Sequence, residues 1–194
     1  ILGVFIIVAG IFAYKRFVSE PKAREAAAKV YLAEDKFIQE LDSAALNGNG
    51  ANEMGLLAVI KKYSGSDASN LAKAYAGICY YNLGEYQKAI DHLKGFSSKE
   101  NMVAPSITRL IGDCYVQLKK YEEAVGYFEK AAAAASNDAI TPGCLIKAGR
   151  VYEELKQYDK ALAAYKQVKE KYYTSMEANT VEADIIRVKT KGAK

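Results

Sequence analysis

The feature that most restricts what this chain can fold into is a recurrence. Gly77, Tyr80, Tyr86 and Ala89 come back as Gly112, Tyr115, Tyr121 and Ala124, and again as Gly149, Tyr152, Tyr158 and Ala161. Gly77 to Gly112 is a step of 35 residues and Gly112 to Gly149 one of 37. Self-similarity at this spacing marks a helical solenoid, whose repeats are helix pairs that cannot bury their apolar faces alone and stack on their neighbours. The expected class is therefore all-α, with glycine on the first helix of each pair and alanine on the second. Two facing small residues would let the backbones approach closely, offsetting the roughly 1 kcal/mol that glycine costs in a helix relative to alanine. The turns between the helices read Leu83-Gly84-Glu85, Leu118-Lys119-Lys120 and Leu155-Lys156-Gln157. A left-handed residue at the helix end suits glycine best, so lysine in the second and third turns predicts local strain.

Together with Leu93, Phe128 and Tyr165 late in each second helix, these residues resemble the tetratricopeptide repeat (TPR), a helix-turn-helix of about 34 residues. The likeness runs over 69–173, as repeats 69–103, 104–138 and 141–173, with joints at 96–104 and 136–141. The usual tryptophan near the start of each repeat is absent, and Tyr173 stands where the third would close on proline.

Upstream, residues 1–14 carry no charge, and Lys15 and Arg16 end the run. A bilayer core needs about 20 apolar residues, yet no small-x-small cleavage site precedes the charges, so 1–20 reads as a retained transmembrane anchor and stalk continuing upstream of Ile1. Pro21 suits a fresh helix start. Ala27, Val30, Tyr31, Phe37, Ile38, Leu41 and Ala45 recur at helical spacing over 22–46. Asn47-Gly48-Asn49-Gly50 ends that helix, and a second runs from about Glu53 to Tyr63 with Leu56, Leu57 and Ile60 on one side. The pair, 22–64, is expected to be a divergent hairpin that begins the solenoid. At the other end, Met176, Ala178, Val181, Ile185 and Val188 predict a capping helix within 174–194, and the tail from Lys191 to Lys194 is expected to fray.

Chemistry is hard to place on this chain. Its only histidine, His92, has no nucleophile at a readable spacing and is expected at a solvated helix position. The three cysteines, Cys79, Cys114 and Cys144, form neither a Cys-x-x-Cys motif nor a metal-ligand pattern, and two of them occupy the same repeat position, which argues packing. No phosphate-binding glycine loop appears, so neither a cofactor, a metal nor a small-molecule substrate is expected. A net charge of +4, with lysines interleaved with glutamates along the helices, describes a solvated face, and no basic cluster with interleaved aromatics suggests nucleic acid.

In the repeat family that the chain resembles, the first helix of each pair lines a concave groove. That likeness implies a partner-binding surface of Leu71, Ala74, Ile78, Tyr81 and Asn82, then Arg109, Asp113, Val116 and Gln117, then Ile146, Arg150, Glu153 and Glu154. A mixed apolar, aromatic and charged groove suits a peptide or partner helix. The clamp by which some relatives hold chaperone tails is not matched, because Ala74 and Ile78 stand where it needs polar residues.

The whole layout resembles the YfgM-like membrane-anchored TPR proteins of the bacterial inner membrane. The stretches that carry this are the anchor followed by Pro21, Ala45-Leu46-Asn47-Gly48-Asn49-Gly50, and the run from Asn70 to Tyr80. The resemblance implies a single-pass protein with periplasmic repeats. It would be non-enzymatic, an ancillary Sec-translocon subunit binding translocon components, a periplasmic chaperone such as PpiD, and emerging polypeptides. A structural assembly factor of another envelope or secretion machine is the alternative. The basic residues Lys15, Arg16, Lys22 and Arg24 taken alone favour a cytoplasmic carboxyl-terminal side, so the resemblance decides sidedness.

Overall fold

A computed structural model describes residues 2–49 and 53–193, and every regular element among them is helical, with one isolated bridge pairing Gly48 and Met54. Ile1 of the expected anchor, Gly50 of the helix-ending run, Ala51 and Asn52 of the hairpin, and Lys194 of the tail lie outside the described residues. The chain divides into two compact units, Ile1–Phe96 and Ser97–Lys194.

The first unit opens with α1 (Leu2–Tyr14) and α2 (Glu20–Ile38), joined by a single π-helical stretch, Lys15–Ser19. Helix therefore runs unbroken through the expected stalk, and no new helix starts at Pro21. In the widened stretch the Glu20 N–H reaches back to the Lys15 carbonyl, five residues away. Pro21 has no N–H and its ring crowds the preceding turn, and a π turn is a known way to absorb such an irregularity. Among the described residues no helix is long and apolar enough to cross a membrane. The 13 residues of α1 rise about 20 Å, against about 30 Å of bilayer core.

The single helix expected over 22–46 is two helices. It breaks after Ile38, where Glu40 takes a left-handed φ of 59°, and α3 (Asp42–Asn47) sets off in a new direction that buries Ala45 and Leu46. A straight continuation would have carried Leu46 off the face that holds Val30 and Ala33. Helix α4 (Leu56–Lys62) follows, burying Leu56 and Val59. Then come α5 (Asp67–Asn82), whose Ser66 N-cap hydroxyl accepts the Ser69 N–H, and α6 (Tyr86–Lys94). The core of this unit is Val30, Leu56, Val59, Cys79, Ile90 and Leu93, with alanines between them.

The second unit is more regular. Helices α7 (Val103–Gln117), α8 (Tyr121–Ala135), α9 (Thr141–Glu154) and α10 (Tyr158–Lys171) pack each on the next. A 3-10 turn (Glu177–Asn179) then leads to α11 (Val181–Gly192), which lays Val181, Ile185 and Val188 on α10. The cap thus begins later than its sequence suggested, and Met176, expected on its apolar face, is 84% exposed.

The repeated glycines meet a large side chain first, and only at Gly77 is the alanine expected opposite also close, with the Ala89 carbonyl oxygen 3.2 Å from where a Cβ would stand. A Cβ on Gly77 would stand 2.4 Å from Leu93 Cγ, one on Gly112 2.7 Å from Phe128 Cε1, and one on Gly149 2.4 Å from Tyr165 Cε1. Each glycine is a notch for the large side chain late in the second helix, and each alanine lets that helix lie close. All three turns close in the same way. The Glu85, Lys120 and Gln157 N–H groups donate to the Tyr80, Tyr115 and Tyr152 carbonyls at 2.8–2.9 Å, and the residue before each donates to the next carbonyl along the first helix, that of Tyr81, Val116 and Glu153. This is the Schellman arrangement. Its left-handed residue is Gly84 at φ 76°, but Lys119 and Lys156 at φ 57°, so the strain anticipated for the two lysine turns is present.

Candidate functional site

Five of the thirteen proposed groove residues lie on α5. Leu71 and Asn82 are exposed, and Asn82 donates to Asp42 Oδ1 on α3 at 3.2 Å. Ile78 and Tyr81 are half-buried, with the Tyr81 ring edge-on to Tyr86 at 5.7 Å. Ala74 is buried and presents nothing to a ligand. Beside Leu71 a cavity of about 460 Å³ opens between α2 and α5, lined by Ala27, Val30, Tyr31 and Glu34 of α2. Tyr31 is 69% exposed while its neighbour Val30 is 3%. The step of about 100° from one residue to the next turns Tyr31, expected within the apolar stripe of this helix, away from the core that holds Val30. Across α2 and α5 the Tyr75 hydroxyl donates to Glu34 in a short hydrogen bond. Burial, reinforced by that carboxylate, pushes the Tyr75 phenol up to about 12.

The other eight lie on α7 and α9. Arg109 is half-buried, and its Nε is buried without a hydrogen-bond partner. One turn on, Asp113 Oδ1 accepts from Lys147 Nζ at 2.7 Å, tying α7 to α9. Val116 is half-buried, and Gln117, Arg150 and Glu154 are exposed. Ile146 is 8% exposed and packs inside.

Glu153 lies in the interior rather than open to a partner. Its side chain is 6% exposed. Arg187 of α11 grips it with two nitrogens, Nη2 to Oε1 at 2.6 Å and Nε to Oε2 at 3.1 Å, Lys191 adds a contact at 3.0 Å, and the Tyr165 hydroxyl donates at 2.9 Å. Asp184 Oδ1 shares the same Nη2, at 2.5 Å. Burial pushes the Glu153 carboxyl up, but the donors from Arg187, Lys191 and Tyr165 outweigh it and hold the group down to about 2. The cap covers this carboxylate because its basic pair, four residues apart, lies on one face of α11. That pairing is made across 34 and 38 residues of chain.

The residues set aside for chemistry are occupied by packing. All three cysteines are free thiols buried in the core. Burial pushes Cys79 and Cys114 up to about 12 and Cys144 up to about 11, with Asp42 adding to the effect at Cys79. His92 is half-buried and stacked on Tyr80 at 5.3 Å rather than solvated, and burial lowers its pKa. One repeat later Tyr127 takes the same place against Tyr115, also at 5.3 Å, so the position of His92 is an aromatic packing position. Among the described residues no group of three or more histidines, cysteines or acids is arranged to hold a metal.

Comparison with known proteins agrees with this architecture. A tetratricopeptide repeat family model matches residues 104–173, and the model for anaphase-promoting complex, cyclosome, subunit 3 matches 56–131. A TPR repeat-containing protein of Methanocaldococcus jannaschii is 31% identical over 101 residues, which are 52% of this chain and 17% of that protein's length. This chain therefore spans only a small part of that relative. Among solved structures, a putative kinesin light chain of Podosopora anserina with nearly identical TPR-like repeats superposes with a TM-score of 0.66 at 13% identity, covering 89% of this chain and 88% of the other. The MamA protein superposes with a TM-score of 0.62 at 15% identity, covering 86% and 89%. These likenesses establish an all-helical TPR-type fold and support the tetratricopeptide repeat family. Repeats of this type generally serve as non-enzymatic scaffolds for protein partners.

Proposed function

We propose that the chain is a membrane-anchored, non-enzymatic scaffold that binds protein partners on the faces of its first helices. The observation that carries this is Arg109. Its Nε is closed off, but the two Nη groups of this half-buried guanidinium stay within reach of a backbone carbonyl or carboxylate of a docked segment. Exposed Gln117 and half-buried Val116 on the same helix offer further polar and apolar contacts. In the first unit Leu71, Ile78, Tyr81 and Tyr31 add an aromatic and aliphatic surface of the kind partner helices use.

The finer reading follows the YfgM-like resemblance. Helix α1 rests in the bacterial inner membrane as part of a single-pass anchor, the repeats stand in the periplasm, and the partners are Sec-translocon subunits, a chaperone such as PpiD, and emerging polypeptides. Support for the anchor comes from an uncharged α1 whose Ile7, Val8, Ile11 and Phe12 are all more than half exposed. A photoreactive residue placed at Gln117 tests the partners. Crosslinks to translocon subunits or PpiD are expected, whereas crosslinks confined to another envelope machine would replace this reading with an assembly-factor role. Sidedness is read by protease added to spheroplasts with an intact inner membrane. The repeats are expected to be digested from outside, and their survival until the membrane is broken would place them in the cytoplasm.

A further inference from the structure

Where α1 gives way to α2, a second cavity of about 380 Å³ lies between the helical junction and the loop that leads from α4 into α5. Its walls differ. Tyr14 and Val18, 64% and 48% exposed, continue the apolar surface of α1, while Ser19, Lys22 and Ser64 line the other side, with Tyr63 between. The charge here is unbalanced. Glu20 is held by Arg16 at 2.9 Å, and Glu25 by Lys62 at 3.0 Å and by the Tyr63 hydroxyl at 2.7 Å. The carboxylates closest in sequence to Lys22 are thus already committed. Exposed Lys22 lines a cavity furnished with serine hydroxyls and bordered by apolar surface.

We infer that this pocket takes the phosphate headgroup of an anionic glycerophospholipid, with Lys22 as counter-ion, Ser19 and Ser64 as hydrogen-bond donors, and Tyr14 and Val18 against the start of the acyl chains. This rests on the membrane reading of α1, which places the junction at the headgroup level. An ammonium beside hydroxyls suits a phosphate oxygen, and an exposed apolar wall on the side of α1 suits an amphiphile better than a soluble anion. The free energy of a basic residue near an anionic membrane surface is large enough to measure.

The test uses the full chain and vesicle flotation, with phosphatidylcholine alone and with phosphatidylcholine and phosphatidylglycerol in a three-to-one ratio. Wild type is expected to bind both, more tightly when phosphatidylglycerol is present. Lys22→Glu should lose that preference by about fivefold or more. Arg24→Glu carries the same charge change two residues along α2, outside the pocket, and should lose clearly less. Ser64→Trp fills the cavity without changing charge and should behave like Lys22→Glu, with the helical circular dichroism of every variant unchanged. Equal losses for Lys22→Glu and Arg24→Glu, or an unaltered preference in Ser64→Trp, would reduce the effect to general attraction and overturn the pocket. Inorganic phosphate that abolishes the preference at constant ionic strength would reassign the site to a soluble anion. A wild-type chain that floats with neither vesicle would instead bring down the membrane reading itself.

Discussion

The two units solve the same problem differently. The second repeats one device, a glycine notch filled by an aromatic ring, at Gly112 with Phe128 and at Gly149 with Tyr165. The first has one such notch, at Gly77, filled by the aliphatic Leu93 instead of a ring, and otherwise assembles α2, α3 and α4 around a left-handed break at Glu40. Where the notch recurs, helix spacing is set by the shape of one side chain. Where it does not, the chain bends until its apolar residues are covered, and it leaves Tyr31, Ile38 and Leu41 outside. Regularity thus belongs to the scaffold, and the irregular segment supplies the exposed apolar surface.

The comparison is tested most severely at the notches. Gly149→Ala should cost about 3 kcal/mol, because Tyr165 is held by Glu153 and cannot swing away. Gly77→Ala should cost only about 1–2 kcal/mol, since Leu93 is the more adaptable neighbour. Urea midpoints read the difference, and equal costs would show that the rings are not what sets the spacing. Gly126 in α8 has open space, with nothing within 4 Å of where a Cβ would stand. Gly126→Ala should therefore stabilise by about 1 kcal/mol, separating a notch from an ordinary helical glycine.

A somewhat smaller effect is expected at the latch on the cap, which the first unit lacks. Glu153 sits near 2 when folded against an ordinary 4.5. Its contribution is fully present above about pH 4.5 and disappears as pH falls towards 2. At about 1.4 kcal/mol per unit, discounted because Arg187 and Lys191 are half exposed, it amounts to about 2 kcal/mol at neutral pH. Glu153→Gln should lose about that much at pH 7, and the gap from wild type should close in acid. A gap unchanged between pH 7 and pH 2 would remove the ionised carboxylate from the account.

On the first unit, Ile78→Asp with Tyr81→Ala should weaken partner crosslinking about tenfold, worth roughly 1.4 kcal/mol, with helical circular dichroism intact. Loss of helix along with binding would mean that both side chains serve the core. The smallest effect concerns the turns. Lys119→Gly and Lys156→Gly should each stabilise by about 0.5–1 kcal/mol by relieving a left-handed lysine, whereas removing the left-handed glycine by Gly84→Lys should destabilise by a similar amount.

The helix pairs, their turns and their glycines were legible because a period of 35 to 37 residues is local information repeated three times. What filled the glycine was not, because the partner of a notch depends on how two helices cross. Gly77 and Leu93 recur in register just as Gly77 and Ala89 do. Glu153 was placed in the groove by the likeness to the repeat family, and the basic pair that claims it arrives only with α11. The break at Glu40 was hidden because Ala45 continues the apolar spacing of α2 in sequence while facing elsewhere in space. Pro21 suggested a helix start, and the π turn that carries the helix past it leaves no mark in the sequence. Among the proposed groove residues, Ala74 and Ile146 fell inside because first helices in this fold are covered on more than one side.

The unbroken run from α1 into α2 has a mechanical consequence. With no swivel between them, the azimuth of Tyr31 and Leu71 about the helix axis is keyed to the azimuth of α1, as a weathervane's pointer is keyed to its shaft. One residue inserted within α1 would turn that surface by about 100°, and two by about 200°, without touching a side chain that packs in the repeats. Which way the first unit faces its surroundings is therefore counted in residues upstream of Lys15.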